Sequence, residues 1–325
     1  MTIESISQLK QEPPLKTLPT GRDEEHIPFR ILWKRHKVLY LVLIPAALLL
    51  IIFRIYPMWG IGIAFVDYNI TQGLTASKWV GLAHFQEVFR RPETLGLIRN
   101  TVFISVGKIL LGEIAGLTFA LLINEVRFPP YRKFAQTVTT IPHFFSWVIV
   151  GALVVSILGS KGALNDLLGL IGIPRIRFLV DKTLFPFSLI FTDTWKEFGW
   201  SAVIYLAALT QLNPELLEAA AVDGAGRAAR ILHIILPTLI PVFIFMIALG
   251  LGSVLDAGME QVLVLYNPAV YSTGDILDTY VYRIGLINFK WELATVVGVI
   301  KGVVGYIAIM TANWISGKVA HYRMF

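Results

Sequence analysis

The sequence predicts an all-α integral membrane protein with six transmembrane helices. The chain has 325 residues, of which 55% are hydrophobic and 15% are charged, whereas a soluble domain of this length is about one quarter charged. Six apolar runs approach the roughly 20 residues that cross a bilayer. Because lipid offers no hydrogen-bond partner to free backbone groups, these runs must be helical.

The apolar runs define the order of elements along the chain. We predict spans at about 38–58, 99–124, 134–158, 185–210, 231–254 and 293–317. We further expect a cytoplasmic tail at 1–37, a first span with its outer loop at 38–95, a transmembrane core at 96–317 and a second cytoplasmic tail at 318–325. In this orientation the inner segments hold more Lys and Arg than the outer ones, as the positive-inside rule requires.

Composition and motifs exclude several classes of function. The chain has no cysteine, which excludes disulfides, thiolate metal sites and cysteine nucleophiles. The net charge of +6 arises from Lys and Arg that mostly flank apolar runs, a pattern typical of membrane-lipid anchoring rather than nucleic-acid binding. No G-x-x-x-x-G-K-[ST] motif, closely spaced His pair or Ser/His/Asp set is visible. We therefore predict a chain that is not an enzyme and binds no metal or nucleotide cofactor itself.

A polar segment at 211–237 separates the fourth and fifth predicted spans. Asn213 can cap a helix, and Pro214 suits the first helical position because its missing N–H is no loss there. Gly224 suits a sharp turn that needs a positive φ. A second helix should begin near Gly226 and run into the fifth span, where Pro237 and Pro241 should introduce kinks.

This segment resembles the EAA loop of permease subunits in binding-protein-dependent ABC importers. The matching pattern is Glu218-Ala219-Ala220, three residues, Gly224, nine residues, then Ile234-x-Leu236-Pro237, and it precedes the penultimate span. The resemblance implies a type I ABC importer permease fold in which this loop is the cytoplasmic coupling helix, docked on an ATP-binding subunit. It assigns coupling to Glu218, Ala219, Ala220, Asp223, Gly224, Arg227, Leu236 and Pro237.

The resemblance also implies partners and a mechanism. It extends over roughly 96–317, and residues 262–286 are similar to the loop before the last span in oligosaccharide and polysaccharide permeases of the LplB type. A further resemblance, to the larger permease subunit of alginate importers, favours uronides. The implied partners are a second permease, two ATP-binding subunits that hold ATP and magnesium, and a solute-binding protein that delivers sugar to the bacterial inner membrane. The implied mechanism is alternating access.

Polar residues within the predicted spans have two interpretations that the sequence leaves open. Ionisable groups in a membrane usually face the bundle interior or water, and sugars bind aromatic faces ringed by polar groups. One interpretation is a substrate pathway, with Lys108, Lys196 or Lys301 facing the cavity to bind a carboxylated sugar. The other is an interfacial aromatic belt with internal ion pairs. The candidates are Lys108, Asp193, Trp195, Lys196, Glu197, Trp200, Tyr205 and Lys301.

Two further alternatives concern the outer loops and the energy source. The 255–292 loop, which carries several acidic and tyrosine residues, either docks the solute-binding protein or is a solvated connector. A stand-alone ion-coupled transporter or channel would also have six spans and buried charges, but it would not need the EAA motif.

Small-residue pairs at Gly112/Gly116 and Gly298/Gly302 predict close helix packing.

Overall fold

The computed structural model describes residues 29–319, with no account of the side chains at 29–36, 312 and 315–319. The predicted tails lie outside this range except for 29–37 and 318–319, which are helical. The described residues form two compact units, one ending at Trp59 and the other beginning at Gly60.

The first unit is helical throughout its described residues. Its helices are α1 (Phe29–Leu50), a π-helical turn (Ile51–Ile55) and α2 (Tyr56–Met58).

The second unit is almost entirely helical. Its described residues also include connecting loops and one short antiparallel strand pair, β1 (Val66–Asp67) and β2 (Lys78–Trp79). The α-helices are α3 (Gly73–Ala76), α4 (Ala83–Arg90), α5 (Pro92–Asn124), α6 (Pro129–Thr140), α7 (Trp147–Leu158), α8 (Ala163–Leu170), α9 (Leu184–Leu209), α10 (Pro214–Val222), α11 (Arg227–Arg230), α12 (Leu236–Gly252), α13 (Met259–Leu265), α14 (Tyr271–Gly274), α15 (Leu277–Tyr282) and α16 (Trp291–Val319). Shorter 3₁₀ or π segments are Trp59–Phe65, Ile141–Phe144, Ile231–Ile235, Pro268–Val270 and Arg283–Ile287.

Five stretches of the described chain are long and apolar enough to cross a membrane. They are Lys37–Phe65, Pro92–Asn124, Trp147–Leu170, Arg227–Gly252 and Trp291–Thr311. The sixth predicted span coincides with α9, whose 26 residues match the prediction of 185–210. Its three charged residues, Asp193, Lys196 and Glu197, lie so close together near its middle that every 18-residue stretch of α9 contains all three.

The prediction of one continuous third span at 134–158 is wrong. Helix α6 ends at Thr140, a 3₁₀ segment follows, and the backbone is extended at Phe145 and Ser146 before α7 begins at Trp147. Pro142 lies at the break, where it lacks the N–H that an α-helix would use and its ring crowds the preceding turn. The apolar run therefore contains two helices.

Helices α5 and α9 pack together most extensively and form the centre of the second unit. Gly116 permits their contact, because a Cβ there would lie 2.6 Å from the Cβ of Ser201. Gly199 has the same role toward α6, where a Cβ would lie 2.1 Å from the carbonyl oxygen of Thr139. By contrast, a Cβ at Gly112, Gly298 or Gly302 would meet nothing within 4 Å among the described residues.

A wide helical turn accommodates Pro237 at the start of α12. The π-helical turn Ile231–Ile235 immediately precedes it, and the N–H of Leu236 donates to the carbonyl of Ile231. A widened turn removes the clash that a proline ring makes with the carbonyl four residues earlier. Helix α12 then continues through Pro241 to Gly252.

Candidate functional site

The loop between α9 and α12 begins with the capped helix that its sequence predicts. The Asn213 side chain accepts a hydrogen bond from the backbone N–H of Glu215 at 3.0 Å, and Pro214 is the first residue of α10. This cap satisfies one of the free N–H groups at the helix start.

The same helix ends at a glycine turn, as predicted. Gly224 has φ +81°, and the N–H of Ala225 donates to the carbonyl of Ala220 at 2.9 Å. This hydrogen bond closes the left-handed C-terminal turn for which glycine is favoured. Gly226 then caps α11, which continues into α12.

Helix α10 is a surface element with uncovered apolar side chains. None of its residues is buried. Leu216 is 54% exposed and Val222 is 88% exposed. Of the residues assigned to coupling, Ala220 and Leu236 are half-buried, whereas Glu218, Ala219, Asp223, Gly224, Arg227 and Pro237 are exposed. This surface is available to a partner.

A cavity of about 290 Å³ lies between this loop and the end of α5. Residues 124–127 at the end of α5 line it together with Leu217, Arg227, Arg230 and Ile235. The loop therefore adjoins the carboxyl end of the same helix that packs on α9.

The first intramembrane cluster joins α5, α9 and α13 around Lys108. Its ammonium group lies 3.3 Å from the Asp193 carboxylate and donates to the carbonyl of Ala257 at 2.7 Å and to the Gln261 side-chain oxygen. The Gln261 amide in turn donates to the carbonyl of Leu189 at 2.8 Å. Lys108 is thus held by partners from three segments.

This cluster borders a cavity of about 240 Å³. Its polar lining includes Lys108, Glu113, Asp193, Glu197, Ser201 and Asp256. Glu113 also accepts a 2.5 Å hydrogen bond from the hydroxyl of buried Tyr205. The predicted candidates Lys108, Asp193 and Glu197 therefore line the same cavity, and Glu197 also belongs to a second cluster. Tyr205 is buried outside the lining and bonds to it through Glu113.

The second cluster joins α9 to the broken third span. Lys196 is buried and donates to Glu197 at 2.7 Å and to the carbonyl of His143 at 2.9 Å. The His143 imidazole contacts Glu197 and stacks on Trp200, with ring centroids 4.5 Å apart. Lys196 also lies 5.5 Å from the Trp147 ring centroid, a cation–π geometry.

Of the remaining candidates, Trp195 and Lys301 lie apart from these ion-pair clusters, whereas Trp200 stacks on His143 of the second. Trp195 is 45% exposed, and Trp200 is 43% exposed on the open side of its stack with His143. Lys301 on α16 pairs with Asp278 at 2.6 Å. Each of the three candidate lysines therefore has a carboxylate partner within the chain, and the eight candidates do not form one site.

Sequence reasoning missed His143, Gln261 and Asp278 as partners of these groups. Each partner lies on a different segment from its lysine or tryptophan, so helical spacing gave no signal. The Pro142-His143 step inside an apolar run was the one local sign of a break near the second cluster.

Comparisons with known proteins identify the family of this chain. The family "Binding-protein-dependent transport system inner membrane component" matches residues 109–320. A polygalacturonan/rhamnogalacturonan transport system permease, YteP of Bacillus subtilis, is 40% identical over 87% of this chain and 89% of its own length. Protein LplB of the same organism is 39% identical over 96% of this chain and its full length.

Solved structures show the same fold. A chain in the crystal structure of a bacterial ABC transporter that imports the acidic polysaccharide alginate superposes with a TM-score of 0.82 and 36% identity. The match covers 90% of this chain and 99% of that one. The alginate transporter has also been solved in complex with a periplasmic protein bound to an alginate pentasaccharide.

Proposed function

The chain belongs to the family of inner membrane components of binding-protein-dependent transport systems, and from that premise we propose that it forms half of the membrane pathway of an importer for acidic oligosaccharides. It is a permease subunit with the type I fold, and its family leaves ATP hydrolysis to separate subunits. The observation that carries the proposal is the exposed, capped α10 helix with the full EAA pattern.

The shape of this loop supports the coupling role that the EAA resemblance implies. Helix α10 presents Glu218 and two exposed apolar side chains, so a partner surface would cover apolar area and meet an acidic group. Gly224 sets the angle between α10 and α11, and α11 continues into α12. A displacement of α10 by an ATP-binding subunit would therefore reach α12 and, across the loop cavity, the end of α5.

The complete assembly would contain four core subunits and a delivery protein. A second permease would supply the other half of the pathway, two ATP-binding subunits would hold ATP and magnesium, and a solute-binding protein would deliver sugar. This chain would bind no cofactor. Both termini would be cytoplasmic, with α10 on the same side, and ATP binding would open the pathway outward.

The proposed substrate class rests on named relatives and on the intramembrane residues. The relatives' names specify polygalacturonan, rhamnogalacturonan and alginate transport, and all three polymers contain uronic acids. Trp195 and Trp200 offer exposed aromatic faces for sugar rings. The polar cavity beside Lys108 and Asp193 would form a hydrophilic wall, whose ion pairs keep its charges fixed while the pathway opens and closes.

Reconstituted uptake tests this proposal against the ion-coupled alternative. The complex would be placed in proteoliposomes and supplied with labelled oligogalacturonate. We expect uptake that requires internal ATP and external binding protein and is unchanged by a protonophore. Uptake by this chain alone, abolished when ion gradients are collapsed, would instead establish a stand-alone transporter.

A further inference from the structure

A cavity of about 710 Å³ lies at the opposite end of α5 from the coupling loop. The start of α5 forms one side, and the segment from α14 to the π-helical turn after α15 forms the other. Its polar lining includes Arg91, Asn100, Tyr271, Tyr280, Arg283 and Asn288. Its volume falls within the roughly 300–1,000 Å³ of typical small-molecule sites.

Arg283 is held rigidly on one wall of this cavity. One of its terminal nitrogens binds the buried carboxylate of Asp275, and its guanidinium carbon lies 4.5 Å from the Tyr271 ring centroid. The other terminal nitrogen, Nη1, is buried and has no hydrogen-bond partner among the described residues. An acceptor from outside the chain would complete its hydrogen bonding.

Arg91 presents a second incomplete guanidinium group. Its Nη2 atom binds Glu87 at 2.6 Å, and its Nη1 atom lies 3.7 Å from Glu93. Its Nε atom is buried without a hydrogen-bond partner in the described part of the chain. The hydrogen bond with Glu87 raises the pKa of Arg91, so its charge is permanent.

Two carboxylates line this cavity, Asp275 and the half-exposed Glu93, and neither forms a hydrogen bond with Arg91 Nε or Arg283 Nη1. The Asp275 carboxylate is engaged by Arg283 through one oxygen and by the Thr279 hydroxyl at 2.7 Å through the other. The Tyr280 side chain adds a neutral hydroxyl, because burial raises the pKa of its phenol. The Tyr280 and Tyr266 hydroxyls interact with the guanidinium groups of Arg91 and Arg283 respectively, and Arg91 Nε and Arg283 Nη1 remain without a hydrogen bond among the described residues.

We propose that this cavity binds a uronic acid residue of the substrate, with its carboxylate accepting from Arg91 and Arg283. A planar carboxylate suits guanidinium donors, and Asn100, Asn288 and the tyrosines provide hydroxyl-binding and apolar surface for a sugar ring. This inference rests on the proposed import of acidic oligosaccharides, because in such an importer this cavity would lie on the outer side of the membrane, where substrate arrives. The volume exceeds what one acidic side chain of a docked protein would fill.

Direct titration of the purified four-subunit complex in nanodiscs tests the site without the binding protein. The probes are trigalacturonate and its fully methyl-esterified form, which lacks the negative charges. The variants are Arg91→Gln and Arg283→Lys, the second retaining a charge beside Asp275. The matched control is Arg90→Gln, which removes the same charge from an exposed neighbour outside the cavity lining.

We expect the wild-type complex to prefer the acid over the ester. Each cavity variant should weaken binding of the acid about tenfold through loss of one charge-assisted hydrogen bond, whereas Arg90→Gln should not. Equal affinity of the variants and the wild type would overturn the site while leaving ATP-driven uptake intact. Loss of binding-protein affinity in the variants with unchanged sugar binding would also overturn it and would identify a protein contact. Absence of uptake by the wild-type transporter would contradict the proposed function separately.

Discussion

At the scale of single residues, Gly224 sets the geometry of the loop between α9 and α12, which we propose couples to the ATP-binding subunits. Its φ of +81° lies in the left-handed region, and a Cβ there would meet nothing within 4 Å. The cost of a side chain would therefore come from the backbone alone, about 1 kcal/mol. We predict that Gly224→Ala weakens the α10 turn by this amount. Peptides covering 214–226 should exchange amide hydrogen about fivefold faster.

A second glycine provides the control for this prediction. Gly169 in α8 also has open space at its Cβ position, but its φ is not positive. Gly169→Ala adds the same methyl group and should leave exchange at 214–226 unchanged. Equal exchange in Gly224→Ala and the wild type would show that the loop does not depend on the left-handed turn.

The residues that sequence predicted correctly carry local signals. Asn213 and Gly224 act on backbone groups within a few positions, so the letters around them suffice. The partners of Lys108 show the opposite case, because Gln261 lies 153 positions away. No sequence pattern near Lys108 predicts Gln261 as its partner. The unpaired atoms of Arg91 and Arg283 likewise emerge only when two distant segments meet.

At the scale of elements, the Lys108–Asp193 pair joins the two central helices. Both side chains are largely buried, at 8% and 20% exposure, and loss of one partner leaves the other charge unpaired. We predict that Lys108→Met destabilises the subunit by about 3–5 kcal/mol. The double variant Lys108→Met/Asp193→Leu should recover much of this loss. Thermal unfolding of the purified complex would measure both.

An exposed ion pair provides the matched control for this cycle. Arg175 and Asp166 have the same 3.3 Å separation, but their side chains are 58% and 63% exposed. Arg175→Met should change stability by less than about 1 kcal/mol. If Lys108→Met were equally mild, the pair would not stabilise the α5–α9 contact, and its lysine would be free to serve the substrate directly.

Element boundaries were predictable where hydropathy changes sharply and less so elsewhere. Helix α9 begins and ends close to the predicted span at 185–210. The π-helical turn Ile231–Ile235 and α12 together match the predicted span at 231–254. The break in the third span was missed because apolar composition alone does not reveal that the backbone is extended at Phe145 and Ser146. Helix α5 starts at Pro92, earlier than the predicted start at 99. Its first turns are polar, so hydropathy did not include them in the span, although proline is a favourable first residue of a helix.

At the scale of the whole molecule, helix α5 borders three separate cavities along its length. The coupling loop adjoins its carboxyl end, the Lys108 cluster occupies its middle, and the cavity of Arg91 and Arg283 lies at its start. A helix of 33 residues is about 50 Å long. This arrangement links the proposed ATPase contact, pathway wall and substrate entry through one element.

We propose that Glu218 on α10 transmits the state of the ATP-binding subunits to the membrane helices. The direct test is ATPase activity of the reconstituted complex, with and without loaded binding protein, for the wild type, Glu218→Lys and Glu215→Lys. Glu215 is exposed on the same helix but outside the EAA pattern. We predict that the increase in ATPase activity caused by binding protein is at least tenfold smaller in the Glu218→Lys complex than in the wild type, whereas the Glu215→Lys complex retains it. Full stimulation in the Glu218→Lys complex would contradict the coupling role of this loop.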